Sequence, residues 1–325
     1  MYIKSEEEIK KSWKGDETNP LVSICCITYN HEKYISDALN SFLMQETKFP
    51  FEIVIGEDCS DDKTLKIIKE YKLNYPTIIR VITSERNVGM CENFDRVIDA
   101  AQGEYIALCE GDDYFTIKDK LTINVKEMKN DMRLSFVFGP AVQINEKNDD
   151  KKIRNQYTKK EVSKIDLNWV LKKGGAFYPT PTSFFRKSVL HEKPKWFDFH
   201  FTRDYPLAIL SVLKGRIGYI DKVTACYRYN EGSVSNKKFG CIKECKKSAT
   251  NKYHKNLEFI KMIYKENVAE YTMYKLLAAK EDYVYYSKLI NCGYRFSTLV
   301  GLFKIRYSLY YKSRLILKLA YKLIN

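Results

Sequence analysis

The sequence predicts an α/β fold, with a mostly parallel sheet flanked by helices and a helical extension at its C-terminal end. Short apolar runs alternate with segments of helical periodicity from Pro20 onward, and polar residues cluster where the runs end. After Gly240 the composition changes to helix formers and lysines. We therefore divide the chain into a polar segment (1–19), an α/β domain (20–240) and a basic helical extension (241–325).

Four apolar runs in the first half of the chain have the length of buried strands. They read LVSICCI at 21–27, FEIVI at 51–55, IIRVI at 78–82 and YIALC at 105–109. Strands that are apolar almost throughout are typical of a parallel sheet covered on both faces. Predicted helices separate the runs and begin at Tyr34, Thr64 and Glu92, and we expect Asn30 to cap the first of them.

Polar clusters follow three of these runs, at Thr28–Asn30, Glu57–Asp58 and Glu110–Asp113. Ligands of parallel sheets bind at the carboxyl ends of the strands, so we expect the three clusters to share one crevice. Carboxylate oxygens are the ligands that Mg²⁺ and Mn²⁺ prefer, which makes the third cluster a candidate metal site. From its residues alone, an acidic surface turn is the alternative. The glycine patterns of dinucleotide-binding and P-loop folds are absent after the first run.

The second half of the chain is less regular. The predicted elements are strands over Leu134–Ile144 and Gly218–Tyr229, a charged connection over 145–160, a helix over Asp166–Lys172, and a second helix that Thr202–Pro206 opens and that runs through Leu213. Asp204 and Pro206 both suit the first turn of a helix. A role in beginning the helix is therefore the alternative to a catalytic role for Asp204.

The net charge of +14 and the isoelectric point near 9.1 favour anionic partners. Residues 291–325 contain seven basic and no acidic residues, so half of the excess charge lies there. A basic amphipathic helix in this stretch fits an anionic membrane surface, and a helix packed on the domain is the alternative. Because the basic residues are not interleaved with aromatic ones along a sheet, we expect no nucleic acid partner.

Cysteine usage and hydropathy indicate the compartment. The nine cysteines, an odd number, lie mostly in apolar runs, as free thiols do in a reducing compartment. Residues 1–19 are polar and charged, unlike a signal peptide, and no apolar run approaches the roughly 18 residues of a spanning helix. We therefore expect a cytoplasmic protein, with any membrane contact peripheral and on the inner face of the cell membrane.

Six motifs occur in a defined order between Pro20 and Ser235. The first four are PLVSICCITYN at 20–30, EDCSDDKT at 57–64, RNVG at 86–89 with GEYI at 103–106, and EGDD at 110–113. The last two are RDYPL at 203–207 and YRY at 227–229 with Gly232–Ser233. This order resembles that of the family 2 glycosyltransferases, which have the Rossmann-like GT-A fold. By this resemblance, residues 20–115 form a nucleotide-binding half and residues 116–240 an acceptor-binding half.

The resemblance implies an inverting, metal-dependent hexosyltransferase that moves a sugar from a nucleotide diphosphate, expected to be UDP, to an acceptor hydroxyl. Asp204 is the implied catalytic base, and Asp113 is the implied ligand of Mn²⁺ or Mg²⁺. The implied nucleotide-binding residues are Ile27, Tyr29, Asp58, Asp112, Arg228 and Ser233. Many relatives build bacterial surface polysaccharides or glycolipids, so the expected acceptor is a saccharide or a lipid-linked saccharide.

More specific roles follow from the same resemblance. Asp58 is expected to accept a hydrogen bond from uracil, and Tyr29 to offer its ring to the base. Asp112 is expected to hold the ribose or assist the metal. Arg228 and Ser233 are expected to close over the diphosphate, and an ordinary surface cation is the alternative for Arg228.

The chain departs from the family pattern at three positions. Glu57 and Glu110 stand where the family has aspartate, and Arg203 stands where another acid commonly precedes the base. A glutamate reaches one carbon further, so among the metal-site acids we rank Asp113 first, Asp112 next and Glu110 last. A catalytically inactive nucleotide-sugar-binding or membrane-associated scaffold is the alternative function. The presence of Asp113 and Asp204 argues against it.

Overall fold

The computed structural model describes residues 4–145, 147, 150–229 and 242–291. The chain divides into two compact units, which we name the first unit (Met1–Glu192 with Leu207–Asn230) and the second unit (Lys193–Pro206 with Glu231–Asn325). The domain boundaries drawn from the sequence stay a prediction.

The described residues form the following strands and helices. The strands are β1 (Val22–Thr28), β2 (Phe51–Glu57), β3 (Ile79–Thr83), β4 (Tyr105–Leu108), β5 (Tyr114–Phe115), β6 (Leu134–Phe138), β7 (Ala141–Asn145), β8 (Asp150–Arg154), β9 (Phe184–Arg186), β10 (Arg216–Tyr219) and β11 (Ala225–Tyr229). The helices are α1 (Glu6–Lys10), α2 (Ile35–Leu43), α3 (Thr64–Asn74), α4 (Met90–Ala100), α5 (Lys120–Asn130), α6 (Lys159–Val162), α7 (Leu167–Lys173), α8 (Trp196–Phe199), α9 (Asp204–Lys214), α10 (Ile242–Lys265) and α11 (Tyr271–Asn291).

A seven-stranded sheet forms the centre of the first unit, in the order β10-β6-β9-β4-β1-β2-β3. Neighbouring strands are parallel, except that β9 is antiparallel to both β4 and β6. Strands β1, β2 and β4 are buried almost throughout, as their apolar sequences require. The predicted α/β fold, with a mostly parallel sheet flanked by helices, is confirmed.

A second sheet in the same unit has the order β5-β11-β7-β8, and it corrects two strand predictions. The predicted strand Leu134–Ile144 is two strands, β6 and β7, which belong to different sheets. The chain changes sheet at Gly139, where a Cβ would lie 2.5 Å from the Ile220 carbonyl oxygen, and at Pro140, which has no amide hydrogen for a ladder. The predicted strand Gly218–Tyr229 is likewise two strands, β10 and β11, because the chain moves between the same two sheets.

Two local predictions are also wrong. The charged connection over 145–160 contains β8, whose exposed residues pair with β7, and the short helix α6. An exposed edge strand can carry charges on every residue, so it lacks the apolar pattern that would predict it. Asn30 does not cap α2, because Tyr34 holds that position. Instead, Asn30 has a φ of 56° and its Oδ1 accepts a hydrogen bond from the backbone of Asp61.

The second unit is helical where it is described. Helices α10 and α11 pack together, and the rings of Trp196, His200 and Tyr205 surround Phe259 on α10. None of the described helices combines the length and the apolar character needed to cross a membrane. The basic helix predicted within residues 291–325 lies almost wholly outside the described residues.

Candidate active site

Three acids converge just after β4, at the carboxyl end of a central strand. Glu110, Asp112 and Asp113 each offer one carboxylate oxygen, and these oxygens all lie within 4.8 Å of one another. Asp112 and Asp113 are buried, and Glu110 is partly exposed. Among the described residues, no other group of three or more such side chains could hold a metal ion. The structure thus places Glu110, ranked last from the sequence, in the same cluster as the two aspartates.

The backbone around Gly111 brings this cluster against the end of β1. The Gly111 amide donates to the Ile27 carbonyl at 3.0 Å, and the Asp113 amide donates to the Glu110 carbonyl at 3.0 Å. A Cβ at position 111 would lie 2.5 Å from Thr28 Oγ1, so a larger residue does not fit without displacement. The predicted convergence of the first and third polar clusters is therefore present in the fold.

The two carboxylate oxygens of Asp113 differ in their hydrogen bonding. Its Oδ1 accepts a hydrogen bond from the Arg228 backbone amide at 2.7 Å, whereas its Oδ2 is buried and has no hydrogen-bond partner among the described residues. Burial, followed by the charges of Asp112 and Glu110, raises the pKa of Asp113 well above its usual range. A divalent cation fits this arrangement, because it supplies a partner for Oδ2 and positive charge close to the three carboxylates.

Arg228, on β11, lies beside the cluster and contacts it through the backbone and the side chain. Its guanidinium donates to the carbonyl oxygen of Asp112 at 3.0 Å and to Oδ2 of Asp37 at 2.5 Å. The same group lies over the rings of Tyr34 and Tyr114. The expected closure of Arg228 over a diphosphate stays a prediction, and its described contacts are with the protein.

Asp58 follows β2 and is almost completely buried, at 2% exposure. Its Oδ1 accepts from the amide of Val88 at 2.8 Å and from the hydroxyl of Ser84, and its Oδ2 accepts from the amide of Gly89 at 2.9 Å. Asp58 thus fixes the loop before α4. Its expected contact with uracil stays a prediction.

Tyr29 and Ile27 lie at the end of β1. Tyr29 is partly exposed, and its hydroxyl donates to Asp61 at 3.3 Å, so one face of the crevice carries an accessible aromatic ring. Ile27 is half-buried, and its carbonyl is the acceptor for Gly111. Both residues lie at the carboxyl end of β1, and their expected contacts with a nucleotide stay a prediction.

His31 is a site residue that the sequence analysis does not single out. Its Nε2 lies 3.9 Å from Oδ2 of Asp112, and its Nδ1 lies 3.1 Å from Thr28 Oγ1. Burial lowers the pKa of His31, although the charges of Asp112 and Asp62 oppose this effect. The available signal was its position directly after the Thr28–Asn30 cluster.

Asp204 is the first residue of α9 and belongs to the second unit. The residue keeps some exposed surface, yet burial of its carboxyl group raises its pKa to about 6. Asp204 is thus a carboxylate that can exchange a proton near neutral pH. Ser233 lies outside the described residues.

The chain shares sequence with a known family and with curated proteins. Residues 23–192 match the family described as Glycosyl transferase family 2. An uncharacterized protein of Mycobacterium tuberculosis is 45% identical over 125 residues, which cover 38% of this chain and 36% of that protein. The poly(ribitol-phosphate) β-N-acetylglucosaminyltransferase TarS of Staphylococcus aureus is 38% identical over 103 residues, which cover 30% of this chain and 18% of TarS. The chain thus spans about a third or less of the length of these relatives.

Two solved structures share the fold. The crystal structure of S. aureus TarS (1–349) in complex with UDP-GlcNAc has a TM-score of 0.56 at 21% identity and covers 91% of this chain and 79% of its own. The mannosyltransferase PcManGT from Pyrobaculum calidifontis, in complex with GDP-Man and Mn²⁺, has a TM-score of 0.56 at 16% identity and covers 98% and 87%. At these identities the likeness concerns the fold.

Proposed function

Since this chain belongs to glycosyl transferase family 2, we propose that it moves a sugar from a nucleotide diphosphate, a UDP-sugar, to an acceptor hydroxyl with inversion at the anomeric carbon. The observation that carries the proposal is the buried acidic cluster after β4, whose Asp113 has an oxygen without a partner among the described residues. Ligands of parallel sheets bind at this edge, and carboxylates there suit a divalent cation bound together with a diphosphate.

Mn²⁺ or Mg²⁺ is the cation that the cluster suits best. The cluster consists of three carboxylates, which are hard oxygen ligands of the kind that Mn²⁺ and Mg²⁺ prefer. Asp113 and Asp112 would hold the cation, with Glu110 as a further ligand. When bound, the cation supplies positive charge that offsets the negative charge developing on the departing diphosphate. The Mn²⁺ bound in the mannosyltransferase structure supports the same choice.

Asp204 is the proposed general base. It takes the proton of the acceptor hydroxyl while the acceptor oxygen forms its bond to the anomeric carbon. The bond between that carbon and the diphosphate oxygen breaks, and the electron pair leaves with the nucleotide diphosphate. A pKa of about 6 leaves Asp204 ionised at neutral pH but basic enough to accept a proton.

The nucleotide is proposed to lie along the ends of β1 and β2. Tyr29 offers an aromatic face to the base, and Asp58 lies beside the loop at 84–89 that would border it. Arg228 and Ser233 are kept as diphosphate contacts on the strength of the family pattern. UDP-GlcNAc bound in the TarS structure and GDP-Man bound in the mannosyltransferase structure support a nucleotide-sugar donor.

The proposed process is the synthesis of a bacterial surface polysaccharide or glycolipid, with a saccharide or lipid-linked saccharide as acceptor. The likeness to TarS, whose name describes transfer to poly(ribitol-phosphate), supports this class of acceptor. A relative named as a teichuronic acid biosynthesis glycosyltransferase in Bacillus subtilis, 36% identical over 110 residues covering 34% of this chain and 40% of that protein, supports it as well. Contact of residues 291–325 with an anionic membrane surface is proposed from their charge.

A donor screen with a base variant tests the proposal. Labelled nucleotide sugars, including UDP-GlcNAc and GDP-mannose, are incubated with the full chain and Mn²⁺, and transfer or slow hydrolysis is measured. We expect one donor to react, and we expect Asp204→Asn to lower kcat by about 10²–10⁴ while leaving Mn²⁺-dependent nucleotide binding intact. Because the base acts in its ionised form, the wild-type rate should rise with pH and level off above about 6.

Glu258→Gln is the matched control, because it removes an exposed carboxylate of the second unit that pairs with the nearby Lys261. Unchanged turnover in Asp204→Asn contradicts the assignment of the base. Binding of a donor without transfer or hydrolysis under any condition favours the scaffold function instead.

A further inference from the structure

The side chain of Arg228 connects the acidic cluster to helix α2. On one side, its guanidinium donates to the Asp112 carbonyl, and its backbone amide donates to Oδ1 of Asp113. On the other side, the guanidinium donates to Oδ2 of Asp37, in the first turn of α2. Asp37 and Arg228 are 191 residues apart in the chain. A single side chain thus joins helix α2 to the acidic cluster.

The strand register explains why Arg228 reaches the cluster. Strands β5 and β11 are antiparallel, with Cys226 opposite Tyr114. Two residues further along β11, Arg228 lies opposite Asp112, which comes two residues before the start of β5. The backbone amide of Arg228 can therefore reach the Asp113 carboxylate, while its side chain extends toward α2.

Two aromatic rings restrict the guanidinium further. Its central carbon lies 4.6 Å from the ring centroid of Tyr114 and 5.3 Å from that of Tyr34. The Arg228 side chain is only 12% exposed, whereas Asp37 is 57% exposed. Cation–π contacts of a desolvated guanidinium are stronger than those at the surface. The pair therefore differs from two exposed charges that meet at a surface, which contribute little.

The backbone amide of Arg228 also orients the carboxylate of Asp113. The hydrogen bond occupies Oδ1 and leaves Oδ2 without a partner among the described residues. Groups that orient a ligand in this way commonly change metal affinity by 10–100-fold when they are removed.

We propose that Asp37 is a positioning residue, which holds Arg228 so that Asp112 and Asp113 are oriented to bind the divalent cation. The inference rests on the proposed function, because it concerns the same metal site. Asp37 itself touches neither the substrate nor the cation in this account. Its effect passes through the guanidinium to the Asp112 carbonyl and through the Arg228 backbone to Asp113 Oδ1.

The test compares Mn²⁺ affinity in Asp37→Ala, Asp37→Glu and wild type, using the full chain. Calorimetry at saturating UDP, or at saturating GDP if the donor screen selects it, gives the dissociation constant for Mn²⁺. We expect Asp37→Ala to weaken Mn²⁺ binding by about tenfold or more and Asp37→Glu to restore most of it. Binding of the nucleotide without Mn²⁺ should not change, and the KM for Mn²⁺ should rise more than kcat falls.

Asp119→Ala is the matched control. Asp119 also stands at the start of a helix, α5, is 53% exposed, and pairs with Lys222 from the segment before β11 at 3.2 Å. We expect its Mn²⁺ affinity to equal that of wild type. Thermal unfolding of all variants separates a loss of fold from a loss of affinity, and Asp37→Glu keeps the test valid if Asp37→Ala unfolds.

The outcomes separate this inference from the proposed function. If wild type shows no Mn²⁺-dependent nucleotide binding, the metal site itself is wrong. If wild type binds but Asp37→Ala and Asp119→Ala have equal Mn²⁺ affinity, the positioning role of Asp37 is wrong while the metal site stands. A change in nucleotide affinity without any change in Mn²⁺ affinity also contradicts the inference, because Asp37 would then act through the diphosphate contact of Arg228 and not through the metal site.

Discussion

Asp58 and Asp113 are both buried acids, and they follow the two strands that flank β1, but their surroundings differ. Both oxygens of Asp58 accept hydrogen bonds from the loop at 84–89. Asp113 has one oxygen bound by the Arg228 amide and one with no partner among the described residues. Two further acids lie beside Asp113, and burial raises its pKa well above the usual range.

This difference indicates that Asp58 stabilises the fold, whereas Asp113 is arranged to bind a ligand. A buried charge that is fully hydrogen-bonded stabilises the structure around it, whereas an incompletely partnered one destabilises the fold until a ligand completes it. Asp58 therefore acts first on loop structure, and Asp113 on cation binding. Substitutions at the two positions should have opposite effects on stability.

The largest expected change in stability is at Asp58. Asp58→Ala leaves the amides of Val88 and Gly89 and the hydroxyl of Ser84 without their acceptor, so we expect a loss of about 3 kcal/mol in the free energy of unfolding. Urea unfolding measures the loss, and hydrogen exchange should quicken at residues 84–89. Asp61→Ala removes an exposed acid from the same polar segment and should change stability by less than about 0.5 kcal/mol. Equal losses in the free energy of unfolding for Asp58→Ala and Asp61→Ala would contradict the structural role assigned to Asp58.

Lys120 extends the comparison to a buried cation with few partners. Its Nζ donates to Thr224 Oγ1 at 3.2 Å and lies over the ring of Phe115, and burial lowers its pKa to about 7. In the unfolded chain the lysine stays protonated to a much higher pH. The folded state therefore loses stability as pH falls from 9 to 7, and this loss is complete below about pH 7.

Lys120→Met removes this pH dependence. We compare the free energy of unfolding of the variant with that of wild type at each pH. We expect the difference, variant minus wild type, to be about 2 kcal/mol larger at pH 7 than at pH 9. Urea unfolding at the two pH values measures the change, and Lys118→Met, which alters an exposed lysine, is the control. A difference that is the same at both pH values would show that Lys120 is not desolvated in the folded protein.

The smallest expected change in stability is at Asp113. Asp113→Asn keeps an acceptor for the Arg228 amide but removes one of three crowded negative charges, so stability in a chelator should rise by about 1 kcal/mol. Addition of Mn²⁺ and nucleotide should make wild type the more stable of the two proteins, because only wild type gains stability from binding. Thermal unfolding under the two conditions tests this. If the variant is less stable than wild type in the chelator, Asp113 stabilises the fold, as Asp58 does.

The sequence was sufficient for strands β1 to β4 of the central sheet and for the position of the acidic cluster, but not for β9 or for the bounds of β6 and β10. Strands β1, β2 and β4 are apolar almost throughout because both faces are buried, and the polar clusters begin where those strands end. The topology of a parallel sheet then brings Ile27 and Gly111 together without further information. Glu110 was ranked last because of its longer side chain, yet its carboxylate lies in the cluster with the two aspartates.

The sequence was insufficient where a contact depends on register or on a loop. The pairing of β11 with β5 brings Arg228 to Asp113, and nothing local to either segment indicates it. Asp37 resembles any acid in the first turn of a helix until its contact with Arg228 is known. Likewise, the hydrogen bonds that satisfy Asp58 come from a loop about thirty residues further along the chain. β8 was missed because its pairing is made by its backbone and its side chains are charged.

The central claim is that Glu110, Asp112 and Asp113 bind a divalent cation together with the nucleotide. Calorimetric titration of UDP, with GDP in parallel, into wild type and Asp113→Asn tests it most directly, once with Mn²⁺ and once with a chelator. We expect wild type to bind one nucleotide at least tenfold more tightly with Mn²⁺, and Asp113→Asn to bind it with the same low affinity under both conditions. Mn²⁺-dependent binding of equal strength in the two proteins would contradict the claim.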